Sequence, residues 1–458
     1  MKLINKYRLI TVITIALLYA TGSYVTTAYA SDGSWELDGA QAPVNLSTSG
    51  MIRRPALAIS PDGEVAAVWA SDERAITTTR GIFGVVGAGQ PITPSTMVAS
   101  AQGQYFWAPD VTYQGDQLFF VWLQSSGIDP RPGALVQQDG FAGTPQTVMS
   151  PTFGYTTPRL LTGHDRLHLF FTSAIDRNKW TQADLYYTQR QFDVAGWITP
   201  TIIITHAQAN PPDGGIWYPH AALSADKNEV HLLWEQSAGA LDTLGIWYTY
   251  GTWQALTEDF TWANLTRLSL TDQESVRPKI AIDETDCIHV AWVEQQVVQV
   301  GENYIMLQHI VYRRRENGEW IPPLEQPAQR LDPIPIQVNA LRPTFSNIAI
   351  DVHGGTICIA WHGFRGPLGV SGLEDIFLKC SHNGGATWPA QATNASETAS
   401  LSLFPALRLD GHGAIHLAWE EYQGGPDFST NYDTYYRQGP FPRTRIYLPL
   451  LMRSWRHG

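Results

Sequence analysis

Arginines and carboxylates recur at two fixed places in this chain, on either side of a repeated proline-to-aromatic segment. Arg53, Arg54, Arg277 and Arg342 stand just before Pro55, Pro278 and Pro343. Asp72, Glu235, Glu294, His362, Glu420 and Glu421 stand within three residues after the closing aromatic. A guanidinium offers a planar fork of donors that matches a carboxylate, and a carboxyl group held beside it can move a proton. If the two places converge, the product is a ring of mixed charge. Such a ring either binds a polar ligand such as a sugar or peptide, or forms a rim of internal ion pairs.

The elements that must position these residues follow from the repeat itself. Seven prolines open a unit: Pro55, Pro109, Pro158, Pro219, Pro278, Pro343 and Pro405. Each leads through two short apolar runs, separated by a turn of Asp, Gly or Asn, to Trp69, Trp122, Phe171, Trp234, Trp292, Trp361 or Trp419, 13 to 18 residues downstream. The unit beginning at Pro343 is the longest and predicts a bulge or short extension before Ile348. The runs are nearly all apolar rather than alternating, so both faces of each hairpin are covered. A third run, such as Asp184–Thr188 or Asp375–Leu378, then leads to a second tryptophan, at Trp197, Trp253, Trp320 or Trp388.

Four strands per unit, at 49 to 65 residues per repeat, predict an all-β propeller of seven four-stranded blades. The last unit has a third strand, Asp433–Tyr436, but no fourth. The segment from Trp35 through Val44–Ser47 supplies the missing piece, so the ring is expected to close by pairing the N-terminal strand into the last blade, which removes exposed edges. His168, His231, His289 and His416 share one repeat position; equivalent positions lie far apart across a ring, which points to structural hydrogen bonds rather than to a metal. No metal site and no cofactor is expected. Gly-x-Ser-x-Gly, His-Glu-x-x-His, phosphate-loop and dinucleotide fingerprints do not occur.

One turn is more specific. Ser381-His-Asn383-Gly-Gly385-Ala-Thr387-Trp388 resembles the Asp-box of sialidase-like propellers, with Asn in the Asp position. Its side chains close a tight turn by local hydrogen bonds. Weaker copies stand at Trp35, Trp253 and Trp320, so the resemblance to this BNR-repeat superfamily covers most of the chain. The resemblance implies a propeller fold. For activity it implies three arginines on a substrate carboxylate, an Asp as acid/base and a Tyr nucleophile with a Glu partner. Arg53 falls where the family's first arginine stands and Asp72 follows it, but every repeat opens on a similar proline, and no residue matches the nucleophilic tyrosine by motif. Sialidases are six-bladed, so positions in later blades do not transfer to seven units.

The sequence therefore favours a binding propeller with a glycan or extracellular protein ligand at its central channel, with exo-sialidase-like glycoside hydrolysis as the alternative. A net charge of −12 with scattered Lys and Arg speaks against a nucleic-acid surface. Lys2, Lys6 and Arg8 precede the apolar run Leu9–Leu18 and a stretch ending in Ala28-Tyr29-Ala30, the layout of a cleavable secretory signal. The expected organisation is a signal at 1–30, a propeller at 31–440 and a tail at 441–458, in a protein that is secreted or held at the cell surface and has no transmembrane span. The tail, Arg445–Arg453, suits either surface attachment or packing across the propeller. Cys358 and Cys380 either pair across one hairpin or sit as small buried apolar residues. Mass spectrometry of protein recovered from the medium is expected to show an N-terminus near Ser31; an intact Met1 on that material contradicts the signal.

Overall fold

A computed structural model describes the chain between residues 42 and 440, apart from 48–52, 74–78, 88–95, 102, 127–132, 153–156, 175–181, 209–214, 238–243, 271–273, 301–302, 333–335, 339–346, 365–373, 412 and 425–430. The signal segment, Trp35, Arg342, Pro343 and the tail lie outside the described residues, as does the extension expected before Ile348.

The described strands form seven antiparallel sheets of four to six strands. Their first strands are Arg53–Ile59, Tyr105–Gln114, Arg159–Thr162, Ile216–Leu223, Glu274–Ile282, Ile348–His353 and Ser402–Leu409, and the sheets are numbered 1 to 7 in that order. Each first strand packs against the first strand of the next sheet, and that of sheet 7 returns to that of sheet 1. The protein is a β-propeller. Among the described residues no helix is long and apolar enough to cross a membrane.

The ring closes at its ends. Val44 and Asn45 pair with Tyr436 and Tyr435, so sheet 7 takes its outer strand from the N-terminal side of the chain, as the incomplete last repeat requires. Side chains lock this seam: Asn45 Nδ2 donates to Asp433 Oδ2 at 2.7 Å, and the Thr434 amide donates to Ser47 Oγ at 2.9 Å. Leu46 enters a cluster with Leu57, Val65 and Trp69 of sheet 1, which joins the first and last sheets through one apolar core.

The aromatic closers fill the space between sheets. Trp69, Trp122, Phe171, Trp234, Trp292 and Trp419 are each at most 1% exposed. Several carry an internal partner two residues on: the indole of Trp234 donates to Gln236 Oε1 at 2.9 Å, and that of Trp419 to Glu421 Oε2 at 2.8 Å. Glu421 also accepts from Ser402 Oγ at 2.6 Å.

The four repeated histidines are pins. Each Nδ1 meets the hydroxyl of a tyrosine on the neighbouring strand: His168 with Tyr187 (2.8 Å), His231 with Tyr248 (2.8 Å), His289 with Tyr312 (2.7 Å) and His416 with Tyr436 (2.6 Å). Burial, reinforced by nearby arginines, lowers the pKa of His168 and of His231 to about 3. The same burial raises the pKa of all four tyrosines.

The Asp-box turn ties sheet 6 to this system. Asn383 Oδ1 accepts from Ser381 Oγ and from the Thr387 amide, both at 2.9 Å, and Ser381 Oγ accepts from the Gly385 amide at 3.0 Å. Trp388 packs edge-on against Tyr312 of sheet 5. Gly385 has φ +77°, and a Cβ there would lie 1.9 Å from the Tyr312 hydroxyl. Cys358 and Cys380, directly opposite on neighbouring strands, form a disulfide.

Two expectations follow. Trp419→Ala removes a wholly buried ring, so chemical denaturation should show a loss of about 3–5 kcal/mol, and a loss under about 1 kcal/mol contradicts its core role. The histidines predict acid sensitivity. Unfolded, His168 and His231 bind a proton near their ordinary pKa; folded, they bind it only near pH 3. The unfolded state therefore holds more protons throughout that window, and stability falls as pH drops from about 6.5 towards 3. The urea midpoint should decline between pH 7 and pH 4, less steeply in His231→Gln; equal slopes contradict the neutral-histidine assignment.

Candidate functional site

In five sheets the strand pairing skips at the proline, so that two residues of the first strand face one of the second: Arg54-Pro55 against Trp69, Ala108-Pro109 against Trp122, Tyr218-Pro219 against Trp234, Arg277-Pro278 against Trp292, and Phe404-Pro405 against Trp419. That is a β-bulge, and proline suits it because a bulged residue owes the ladder no hydrogen bond. The residue before each of these prolines is left-handed, with φ 50° at Arg54, 44° at Ala108, 50° at Tyr218, 57° at Arg277 and 52° at Phe404. For a residue with a Cβ this costs roughly 1–2 kcal/mol. The strain recurs in five sheets, so it belongs to the architecture.

In three of the five, the strained residue's amide donates to an acceptor on the preceding sheet. The Arg277 amide donates to Glu235 Oε2 at 2.8 Å, the Phe404 amide to His362 Nδ1 at 3.1 Å, and the Arg54 amide to Glu420 Oε1. These acceptors stand immediately after the closing aromatics Trp234, Trp361 and Trp419. All three are buried. Burial raises the pKa of the Glu235 carboxyl, with Arg277 opposing. Glu235, His362 and Glu420 are thus joined to backbone amides at the seams between sheets. Glu294 is also buried, and burial raises its pKa too.

The bulges turn the pre-proline side chains towards one another. The Arg277 guanidinium carbon lies 3.5 Å from the centre of the Tyr218 ring, and that of Arg54 lies 5.8 Å from the rings of both Tyr218 and Phe404. Arg54 comes from sheet 1, Tyr218 from sheet 4, Arg277 from sheet 5 and Phe404 from sheet 7, so side chains from four sheets meet around the axis. Burial alone would raise the Tyr218 phenol's pKa, but Arg277 and Arg54 outweigh it and hold the pKa below the ordinary tyrosine value. A guanidinium over an aromatic face is an attractive contact, and its planar fork of donors matches an anion.

The ring residues Arg54, Tyr218 and Phe404 and, beneath them along the same strands, the residues just after the prolines line a cavity of about 160 Å³. Asp110 pairs with Arg159 at 3.1 Å and accepts from the Leu160 amide at 2.9 Å, which joins sheets 2 and 3. His220 Nδ1 accepts from the Ile280 amide at 3.3 Å, which joins sheets 4 and 5. Burial lowers the pKa of Lys279 to about 7, helped by Arg159, Arg277 and Arg54 and opposed by Asp110. Arg408 completes the cationic lining.

Of the sequence-predicted ligand residues, the structure brings Arg54 and Arg277 together. It places Glu235, His362 and Glu420 at the seams behind them. Arg342 lies outside the described residues, as do the side chains of Arg53 and Asp72, whose strand positions pair with Ala70 and Arg80. Tyr218, Phe404, Arg159, Lys279 and Arg408 were not singled out from sequence. Tyr218 and Phe404 carried the same signal as the arginines, a place directly before a repeat proline.

A metal set could be sought in sheet 5, where Asp283, Cys287 and His289 place donor atoms within 4.8 Å of one another. Asp283 Oδ1 already accepts from Thr285 and Cys287 amides, and burial pushes the Cys287 thiol up to about 12. Sheet 7 repeats the same Asp–His–Tyr arrangement as Asp410, His416 and Tyr436 with alanine at the cysteine position, which supports a structural role.

No protein-family model and no curated relative matches the chain. Among solved structures it is similar to a polysaccharide lyase of family PL25, an ulvan lyase, at 9% identity, with 87% of this chain and 96% of that chain covered and a TM-score of 0.55. A leech intramolecular trans-sialidase is similar at 10% identity, covering 89% of this chain and 69% of that one, with a TM-score of 0.45. An α-L-arabinofuranosidase from Fusarium graminearum covers 87% of this chain and 97% of that one at 8% identity, with a TM-score of 0.44. At this identity the likeness to the ulvan lyase shows the propeller fold alone.

The bulge geometry gives a direct expectation for stability. Glu235→Ala leaves the Arg277 amide without its acceptor beside a strained residue and should cost about 1–3 kcal/mol; Glu235→Gln, which still offers an oxygen, should cost clearly less. Equal losses in urea unfolding contradict the amide-capping role.

Proposed function

We propose that this protein is an exported, seven-bladed propeller, one blade per sheet, that binds an acidic saccharide on the ring of pre-proline side chains. The observation that carries the reading is the convergence of Arg54 and Arg277 on the Tyr218 ring, with Phe404 beside Arg54. Two guanidinium groups meet a carboxylate through paired hydrogen bonds, and the aromatic faces give a sugar ring an apolar surface to lie on. The ulvan lyase of similar fold is bound to a -[GlcA(1-4)Rha3S]- saccharide, and the proposal extends that ligand class to this chain. Export rests on the N-terminal segment, and a glycan outside the cell is the ligand such a protein would meet. Attachment through the basic and apolar tail remains part of this proposal.

A second reading, glycoside cleavage, is favoured by one observation. Tyr218 is the phenol whose proton the two arginines loosen, with the nearby Glu235 charge opposing them. A hydrolase of the sialidase type needs a tyrosine of that kind with a carboxylate partner.

Both are tested with purified protein on a panel of acidic and neutral oligosaccharides, alongside fluorogenic glycosides. The expected result is retention of the acidic members only, with affinity falling about 10- to 100-fold in Arg277→Ala and in Arg54→Ala, the equivalent of about 1.4–2.8 kcal/mol. Neutral sugars bound as well as acidic ones, or unchanged affinity in both variants, contradicts the site. Turnover that Tyr218→Phe abolishes replaces the binding reading with the catalytic one.

A further inference from the structure

The cavity beneath the pre-proline ring is unbalanced in charge. Its lining carries Arg54, Arg159, Lys279 and Arg408 against one carboxylate, Asp110. That carboxylate is committed to Arg159 and to the Leu160 amide. Among the described residues neither Lys279 nor Arg408 forms an ion pair; Asp351, the acidic group nearest in influence to Arg408, accepts from the Leu409 amide, and burial raises its pKa. His220, in the same lining, is kept neutral: burial, then Arg159, Lys279 and Arg408, lower its pKa well below the ordinary value. Collecting like charges in a partly enclosed space is costly unless an anion joins them.

Size narrows the anion. A cavity of about 160 Å³ is small beside the ~300 Å³ at which pockets for whole drug-sized ligands begin. A tetrahedral oxyanion matches both this space and the cationic lining.

We infer that this cavity is an oxyanion site for a sulfate-sized group, held by Lys279, Arg408 and Arg159, beneath the ring on which the saccharide lies. The inference rests on the saccharide reading above for the source of the anion, as a substituent reaching down from the bound sugar. The site itself requires no saccharide, and a free inorganic anion meets the same groups.

Protonation of Lys279 sets the strength of the site. The charged groups facing it are Arg54 from sheet 1, Asp110 from sheet 2, Arg159 from sheet 3, Glu235 from sheet 4 and Arg277 on its own strand, with His220 of sheet 4 neutral. With a pKa of about 7, Lys279 is mostly charged at pH 6 and mostly neutral at pH 8. An anion favours the charged form, so affinity weakens as pH rises through 7, by up to about tenfold between pH 6 and pH 8.

The test is calorimetric titration of the full mature chain with sodium sulfate at constant ionic strength. Sulfate keeps its charge over this range, whereas phosphate would titrate. Sulfate is expected to bind at pH 6 and to weaken about tenfold by pH 8, with affinity at least tenfold lower in Lys279→Met and in Arg408→Gln. Lys279→Arg, which keeps the charge, should bind sulfate at both pH values and lose the pH dependence, and it serves if Lys279→Met fails to fold. A sulfated oligosaccharide that binds better than its desulfated counterpart, with the difference lost in Lys279→Met, identifies the substituent as the source. Equal binding of the two, with sulfate still bound, identifies the free anion. No sulfate binding at pH 6, or binding indifferent to all three substitutions, overturns the inference. Acidic saccharides retained without sulfate binding would overturn it while leaving the pre-proline ring as the ligand site.

Discussion

A backbone amide at the start of one sheet reaches a side chain at the end of the previous sheet's second strand, and much of the structure depends on that bond. The pre-proline residue is left-handed because two residues must fit opposite one tryptophan. That conformation directs an amide at the neighbouring sheet and a side chain at the axis. Glu235, His362 and Glu420 accept the amide. One bulge therefore does two jobs: it joins sheets at the channel wall and it aims the residues that form the site. The proline suppresses the competing helical conformation of its predecessor and removes an amide that the bulge would leave unpaired.

The same economy runs through the interior. A propeller of this size buries many polar groups, and each buried group requires a partner. The repeated histidines meet the repeated tyrosines, the indoles of Trp234 and Trp419 meet a residue two positions on, and the Asp-box glycine leaves room for the Tyr312 hydroxyl. The cationic lining of the cavity stands apart from this pattern. Asp110 and Arg159 satisfy one another, while Lys279 and Arg408 face the channel without an ion pair among the described residues.

Much of the fold was legible because its signals are local. A proline followed by an aromatic 13 to 18 residues on marks one hairpin, and seven copies mark seven sheets. The missing last strand could be read at one end and found at the other, where Val44 and Asn45 supply it. The histidines were legible for the same reason, since a residue type recurring in a ring serves the repeat. The candidate site was legible only in part. Arg54 and Arg277 drew attention by their charge, while Tyr218 and Phe404, in the same place, read as further aromatics of an aromatic-rich chain. Glu235, His362 and Glu420 looked like ligands because sequence does not show that the next sheet's amide lies against them. Lys279 and Arg159 follow their prolines by one residue, a position that reads as strand until the strands are seen to line a cavity.

The account rests on the claim that the pre-proline ring is where the ligand lies. A crystal structure of the mature protein soaked with an acidic disaccharide tests it most directly. The expected density lies against the Tyr218 and Phe404 rings, with the sugar's acidic group within hydrogen-bond distance of Arg54 and Arg277. Sugar bound on the outer edges of the sheets, with Arg277 still stacked on Tyr218 and the ring empty, would contradict it.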